Sequence, residues 1–370
     1  MRKAGKQRAV GKRAVRAARR GLAAVLAAAL VLTAWWGEDL RADAASDTKG
    51  TEDLQADLLD VIQDTGSYEE YLEAHAQAAY PETEVEVKGT DYLEASEGFY
   101  EEEDGLCTLE EGSVTYEVDV PQAGFYSIYL KYYPIEGKNS SIERELYING
   151  EIPFANAQYL KFSRIWVNAE EIVRDSRDND VRPKQKEAGQ WMGAFLKDSD
   201  GYYQDAFDFY FEKGKNTITL TSTKEPMKIG SITLTQEEGL PGYAEYQQEH
   251  QGAGHQAVSC EPVVVQGEAA LYKSDSTLYP ITDRSSPLTE PYSPSKTRLN
   301  VVGGANWKQV GQWISWEVDV PSDGMNEIAV RYRQNINTGV TVVRALSIDG
   351  QVPFAEARES KFYYGSDSEV

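Results

Sequence analysis

The sequence predicts an all-β protein built of two tandem β-sandwiches, the second incomplete, joined by short helical connectors. Three observations predict it. Apolar and polar residues alternate through most of the chain, as in half-buried strands; tight-turn signals separate these runs; and one segment returns 200 residues later without a gap. Glu117-Val-Asp-Val-Pro121 comes back as Glu317-Val-Asp-Val-Pro321, and 18 of the 47 positions between 116 and 162 match their partners between 316 and 362. One module used twice accounts for this.

Residues 1–20 hold nine Lys or Arg and no acid, Gly21 to Trp36 is apolar and Ala-rich, and Ala42-Asp43-Ala44 offers a small-x-small cleavage site. This reads as a signal peptide over 1–44, and the chain is expected to be extracellular or at the cell surface. An uncleaved anchor is the alternative, because the apolar run nears the lower limit of about 17 residues for a span. Residues 1–44 carry ten positive and three negative charges, so without them the formal charge of −23 becomes −30 (−23 − 7). Such acidity argues against nucleic acid as a partner, since that recognition rests on clustered Lys and Arg.

Residues 45–84 form a helical lead-in. Leu54, Leu58, Leu59 and Ile62 recur at helical spacing, then Ser67 and Glu70 make a capping box for a second helix that Pro81 closes. Tyr68, Tyr71 and His75 share one face of that helix, and the same spacing returns at Tyr243, Tyr246 and His250 in the connector 238–258. These aromatics are expected to dock each helix on its own sandwich.

The first sandwich is placed at 85–237 and the second, incomplete, at 259–370. Val85 and Val87, then Tyr116, Val118 and Val120, then Ile128, Leu130 and Tyr132, then Phe207, Phe209 and Phe211, and later Ile218, Leu220, Ile232 and Leu234 alternate with polar neighbours. Asn149-Gly150 and Asp349-Gly350 are two-residue hairpin signals, because both central positions favour residues that tolerate positive φ. The second copy stops at Val370, eight residues past Phe362, and the chain is therefore expected to be the front of a longer protein. Cys107 and Cys260 fall in different copies; a disulfide would join two domains, and two free thiols are the alternative.

The long stretch 163–206 reads as an irregular loop, and loops of that length in compact domains are commonly functional. Its Arg164, Trp166, Arg174, Arg177, Arg182, Trp191, Tyr202 and Tyr203 are the candidate ligand-binding residues. A saccharide site needs a flat aromatic surface for the pyranose face and fixed Arg or carboxylate groups for the hydroxyls. A surface ion-pair network is the competing account of the Arg and Asp residues, and core packing that of each tryptophan. Asp198, Asp200 and Asp205 around Gly201 are candidate oxygen ligands for a structural Ca2+, against a solvated acidic loop. No catalytic site is expected: His75, His250 and His255 all fall in the connectors, and no nucleophile elbow or phosphate loop is present.

Val118-Asp-Val-Pro121-Gln-Ala-Gly124-Phe-Tyr126, with Gly214-Lys-Asn216-Thr-Ile218-Thr-Leu220, resembles galactose-binding-like jelly-roll domains of the kind found as carbohydrate-binding modules in secreted enzymes. Over 67–370, Tyr132-Tyr-Pro-Ile-Glu-Gly137, Ile142-Glu-Arg-Glu145, Asn179-Asp-Val-Arg-Pro183, Gly201-Tyr-Tyr203, Gln266-Gly-Glu268, Tyr272-Lys-Ser274 and Gly311-Gln-Trp-Ile-Ser-Trp316 look like the N-terminal region of large extracellular solute-binding proteins of ABC transporters. The resemblance implies tandem jelly rolls, a glycan or oligosaccharide partner, and an ABC transporter permease met through a further C-terminal part. It departs from the family in lacking a lipid-attachment cysteine after the signal. Modules of a polysaccharide-degrading enzyme and plain structural spacers are the alternatives.

Overall fold

The computed structural model describes residues 65–335 and 338–365. The signal peptide and the helix expected around Leu54 to Ile62 lie outside the described residues. Helix α1 (Tyr68–Ala74) carries the expected reciprocal cap: the Glu70 N–H donates to Ser67 Oγ at 3.2 Å and the Ser67 N–H to Glu70 Oε2 at 3.1 Å. Two N–H groups that a helix start leaves open are thereby satisfied. The tyrosines of α1 do dock the helix, since Tyr68 and Tyr71 pack on Phe154 at 4.7 and 5.2 Å and their hydroxyls accept the Asp208 and Tyr210 N–H groups.

Sixteen strands follow. They are β1 (Val85–Lys88), β2 (Tyr92–Ala95), β3 (Tyr100–Glu102), β4 (Gly105–Thr108), β5 (Gly112–Val120), β6 (Gly124–Pro134), β7 (Ile142–Ile148) and β8 (Leu160–Phe162); then β9 (Trp166–Asn168), β10 (Val173–Arg174), β11 (Asp180–Val181), β12 (Gln185–Glu187), β13 (Met192–Phe195), β14 (Asp208–Phe211), β15 (Gly214–Lys224) and β16 (Met227–Thr235). All named pairings are antiparallel. One sheet has the order β2-β5-β15-β7-β8 and the other β13-β6-β16-β4-β3, with β14 also on β6 and β1 also on β16. Their facing residues, among them Tyr116, Val118, Ile128, Leu130, Leu146, Phe209, Ile218 and Ile232, form one buried cluster. The period-two pattern is the cause: one face of each sheet is apolar and closes on the other.

Turn chemistry holds as read. Asn149 and Gly150 take φ of 52° and 83°, and Asp349 and Gly350 take 51° and 83°. A bulge at Gly230 divides β16, whose first part pairs with β4 and whose second part pairs with β1.

The second copy begins after α2 (Tyr243–Gly252) and contains β17 (Tyr272–Lys273), β18 (Ile314–Ser315), β19 (Val342–Arg344) and β20 (Ser360–Phe362). The repeat extends to geometry. Tyr243 and Tyr246 meet Phe354 at 4.8 and 5.3 Å, matching Tyr68 and Tyr71 on Phe154. The pair Val342↔Phe362 repeats Ile142↔Phe162, and the Met325 N–H donates to the Gln256 carbonyl as Phe125 does to Ala79. Strands β17 and β18 stand where β2 and β5 stand in copy one, and β19 and β20 where β7 and β8 stand. Between the two pairs no strand equivalent to β15 is found among the described residues.

The stretch 163–206 is not the irregular loop the sequence suggested. It holds β9 to β13: β10 pairs with β11 and β9 with β12 inside the stretch, while β9 also meets β17 and β13 meets β6, far away in sequence. Strands β12 and β9 join β17 and β18 in a four-stranded sheet, so a strand of copy two pairs directly with one of copy one. Both cysteines are free thiols, Cys107 buried and Cys260 exposed.

Candidate functional site

The eight aromatic and basic candidates do not converge on one site. Arg164 is buried and structural: Nε donates to the Ser140 carbonyl at 2.8 Å, Nη1 to the Ile135 carbonyl at 2.7 Å and to Glu187, and Nη2 to Glu225 at 3.0 Å. Burial works to raise the Glu225 pKa, but hydrogen bonds from Ser140 and Lys138 together with Arg164 hold it below the usual range. Nothing remains of this guanidinium for a ligand. Trp166 is only 5% exposed and packs as core, because β9 lies between β12 and β17.

Arg174, Arg177 and Arg182 belong to a clasp. Arg174 pairs with Asp178 at 3.4 Å and Asp180 at 3.2 Å, and Arg298 of copy two pairs with the same two carboxylates at 2.8 and 3.1 Å. Arg298 first of all holds the Asp178 carboxyl below its ordinary pKa. The Arg177 carbonyl accepts Lys296 Nζ at 2.6 Å, the Asp180 N–H donates to the Thr297 carbonyl at 3.0 Å, and the Arg182 guanidinium lies 4.1 Å above the Tyr279 ring. The loop is thus an ion-pair network, the competing account. An open groove of about 440 Å³ follows the seam, lined by Val181, Arg182, Ile281 and Leu299 with no aromatic ring.

The metal candidates Asp198, Asp200 and Asp205 have different surroundings. Asp198 spends both carboxylate oxygens on donors: Oδ1 accepts the Asp200 N–H and Asn156 Nδ2, and Oδ2 the Tyr202 and Tyr203 N–H groups. Asp205 pairs with Arg358, and Asp200 is exposed. Among the described residues no group of three His, Cys, Asp or Glu is placed to hold a metal ion. Tyr203 packs edge-on against Tyr68 at 5.0 Å and its hydroxyl meets Glu69, whereas Tyr202 is 83% exposed and isolated on its turn.

Trp191 alone lies in a setting that suits a ligand. Strand β6 points Ile128, Leu130 and Tyr132 inward, which sends Tyr129, Lys131 and Tyr133 to the solvent side of the seven-stranded sheet. Trp191 stands edge-on to Tyr133 at 5.7 Å, and Phe195 of β13 stands edge-on to Tyr129 at 5.1 Å. Glycines seat these rings: a Cβ on Gly230 would come within 2.7 Å of the Trp191 ring, one on Gly193 would strike Tyr129 Oη, and one on Gly189 Tyr133 Oη. Each of these three rings thereby comes close against a glycine backbone.

Charge borders the strip. The ammonium groups of Lys131 and Lys228 lie 5.2 and 5.7 Å from the Trp191 ring centre, within cation–π range. Lys228 is paired with Glu102 and with Asp104 at 2.9 Å, and Glu102 first of all raises its pKa. Lys131 has no ion-pair partner among the described residues. The face therefore offers aromatic surface, a lysine with no ion-pair partner among the described residues and two carboxylates fixed by a second lysine. It can hold a ligand by stacking and hydrogen bonding.

No protein-family model and no curated protein matches the chain. Among solved structures, a GH26-CBM35 β-(1,4)-mannanase of Podospora anserina is similar at 12% identity, covering 47% of this chain and 35% of that chain with a TM-score of 0.26. The chain thus spans about a third of that enzyme. The CBM36-1 domain of a multidomain xylanase from the hindgut metagenome of Trinervitermes trinervoides is similar at 11% identity, over 42% of this chain and 99% of that chain, with a TM-score of 0.26. A CBM36 module in complex with calcium and xylotriose shares 11% identity over 40% of this chain and 96% of that chain, with a TM-score of 0.24. At such values the function rests on the geometry of the face itself.

The sequence reading passed over Tyr129, Lys131, Tyr133 and Phe195. The usable signal was the outward half of Ile128-Tyr-Leu-Lys-Tyr-Tyr133, where two aromatics and a lysine occupy the positions that should be wet. Solvent-facing aromatics on a central strand are the unusual residues.

Proposed function

We propose that the chain is a non-enzymatic carbohydrate-binding region and that a glycan lies across the outer face of the seven-stranded sheet. Trp191 and Tyr133 stack on sugar faces at one end, Tyr129 and Phe195 extend the platform, and Lys131 with Glu102 and Asp104 meets hydroxyls or acidic substituents. The observation that carries this reading is the glycine-seated aromatic strip beside Lys131, which has no ion-pair partner among the described residues. Rings already held against backbone lose little freedom when a ligand covers them, which favours binding. The modules would serve an extracellular solute-binding protein for ABC-type sugar uptake, exported by the segment 1–44; the motif resemblance over 67–370 supports that setting.

Isothermal titration of the full chain against a panel of soluble glucans, mannans, xylans and galactans tests the reading. Trp191→Ala should weaken binding by about tenfold or more, as loss of an aromatic anchor does, with the melting temperature unchanged. Absence of binding to every glycan by a folded chain, or binding indifferent to Trp191→Ala and Tyr133→Ala, overturns it.

A further inference from the structure

The groove along the seam is built from two segments, 180–182 of the first copy and 280–299 of the second. Both rims are tied by main chain. The Asp180 N–H donates to the Thr297 carbonyl at 3.0 Å, the Ile281 N–H to the Val301 carbonyl at 2.9 Å, and Asn300 Nδ2 to the Asp283 carbonyl at 2.9 Å. The shape is therefore fixed before anything enters it. Its volume of about 440 Å³ lies within the ~300–1,000 Å³ of small-ligand sites.

Arg182 differs from the other basic residues of the seam. Arg174 and Arg298 are spent on Asp178 and Asp180, Arg284 Nη2 donates to Thr297 Oγ1 at 3.0 Å, and Lys296 Nζ donates to the Arg177 carbonyl. Among the described residues the Arg182 side chain makes no hydrogen bond and no ion pair, and its guanidinium is held over the Tyr279 ring at 4.1 Å. The acids of the groove are satisfied in turn. Asp180 accepts Arg174 and Arg298 at Oδ1 and the Leu299 N–H at Oδ2, and Asp283 accepts Arg333 and the Ser285 N–H.

Charge favours an anion here against the trend of the chain. Residues 173–184 and 279–299 hold seven Lys or Arg and five Asp or Glu, a net +2 on a chain of formal charge −23. Screening over about 8 Å at physiological ionic strength makes this local balance the one a bound ligand meets. The remaining walls are aliphatic: Val181 is 45% exposed, and Pro280, Ile281 and Leu299 stand across from it. No aromatic ring lines the groove to take a sugar face. A phosphate would gain nothing from these walls, and its second charge would be repelled by the acidic chain.

We propose that the seam groove binds a small free monocarboxylate with a branched aliphatic body. The Arg182 fork meets the carboxylate with two parallel N–H bonds, and Val181, Pro280, Ile281 and Leu299 take the hydrocarbon. Stacking on Tyr279 holds the guanidinium in place, so little of its freedom is lost on binding. The site is separate from the glycan platform and does not depend on it.

The test titrates the full chain with isocaproate, isocaproamide, glucuronate and inorganic phosphate, following the Ile281 methyl signal by NMR. Isocaproate should shift that signal, and its amide, of the same shape without the charge, should bind about tenfold more weakly or worse. Arg182→Gln should weaken the acid by a similar factor and leave the amide unchanged, while Arg182→Lys, which keeps the charge and loses the fork, should restore only part. Arg182 is exposed, so the melting transition should stay in place; the comparison of acid with amide on the unaltered chain needs no variant at all. The proposal is overturned if acid and amide bind alike, if glucuronate or phosphate binds more tightly than isocaproate, or if the folded chain shows no shift at Ile281.

Discussion

Lys273 of the second copy donates from Nζ to Asn168 Oδ1 of the first at 2.9 Å, inside the sheet that both copies build. The lysine is fully buried with no carboxylate partner among the described residues, and burial pulls its pKa from 10.5 down to about 8.

The first prediction follows from that shift. Between about pH 8 and 10.5 the unfolded chain binds a proton here that the folded chain does not, so stability contributed at this position rises with pH across that window. The full cost, about 3 kcal/mol, stands below pH 8. Lys273→Met should raise the urea midpoint at pH 7 and flatten the difference in slope between pH 8 and 10.5. Asn168 Oδ1 keeps Gln185 Nε2 at 2.8 Å, so no orphaned acceptor masks the gain. A lower midpoint in the variant would contradict the assignment.

Arg164 should behave in the opposite way. Arg164→Met leaves Glu187 and Glu225 beside an uncharged chain and should cost about 3–5 kcal/mol, as removal of one partner from a buried pair does. Adding Glu225→Gln should restore part of that loss. Thermal unfolding of the single and double variants measures it, and glycan affinity should stay constant in whatever fraction remains folded.

Gly230→Ala should act on the platform more than on the fold. The added methyl meets the Trp191 ring at 2.7 Å and pushes it off its seat. The expected readouts are a shift in tryptophan fluorescence and a loss of glycan affinity comparable with that of Trp191→Ala. An affinity equal to that of the original chain would show that the seat is immaterial.

Phe154 and Phe354 are equivalent in sequence but not in setting. Phe154 is fully buried among Tyr68, Tyr71, Phe207 and Phe209, whereas Phe354 is half-buried under α2. Phe154→Ala should therefore cost about 3–5 kcal/mol and Phe354→Ala clearly less. Differential calorimetry of the two variants separates them, and equal losses would mean that copy two carries a closed core.

Much of this architecture was legible where the information is local. The capping box at Ser67 and Glu70, the hairpins at Asn149 and Asp349, and the inward residues of β5 and β6 all depend on neighbours within a few positions. The long stretch 163–206 was opaque because its strands are only two to four residues long and several of its anchoring partners are distant. Arg164 meets Glu225 across 61 residues, and Asp180 meets Arg298 across 118. Composition cannot distinguish an arginine that holds two acids from one that awaits a sugar. Trp191 was nameable, but its companions were hidden in β6, where the eye follows the buried alternation and neglects the wet one.

The strand shared between the copies also determines how tension runs through the molecule. Because β17 pairs with β9 and Arg298 grips Asp178 and Asp180, a pull applied beyond residue 273 loads the first sandwich before it straightens the 238–258 connector. The shared sheet takes that load while α2 stays docked on Phe354, and the outer face of the first sandwich moves with the second copy.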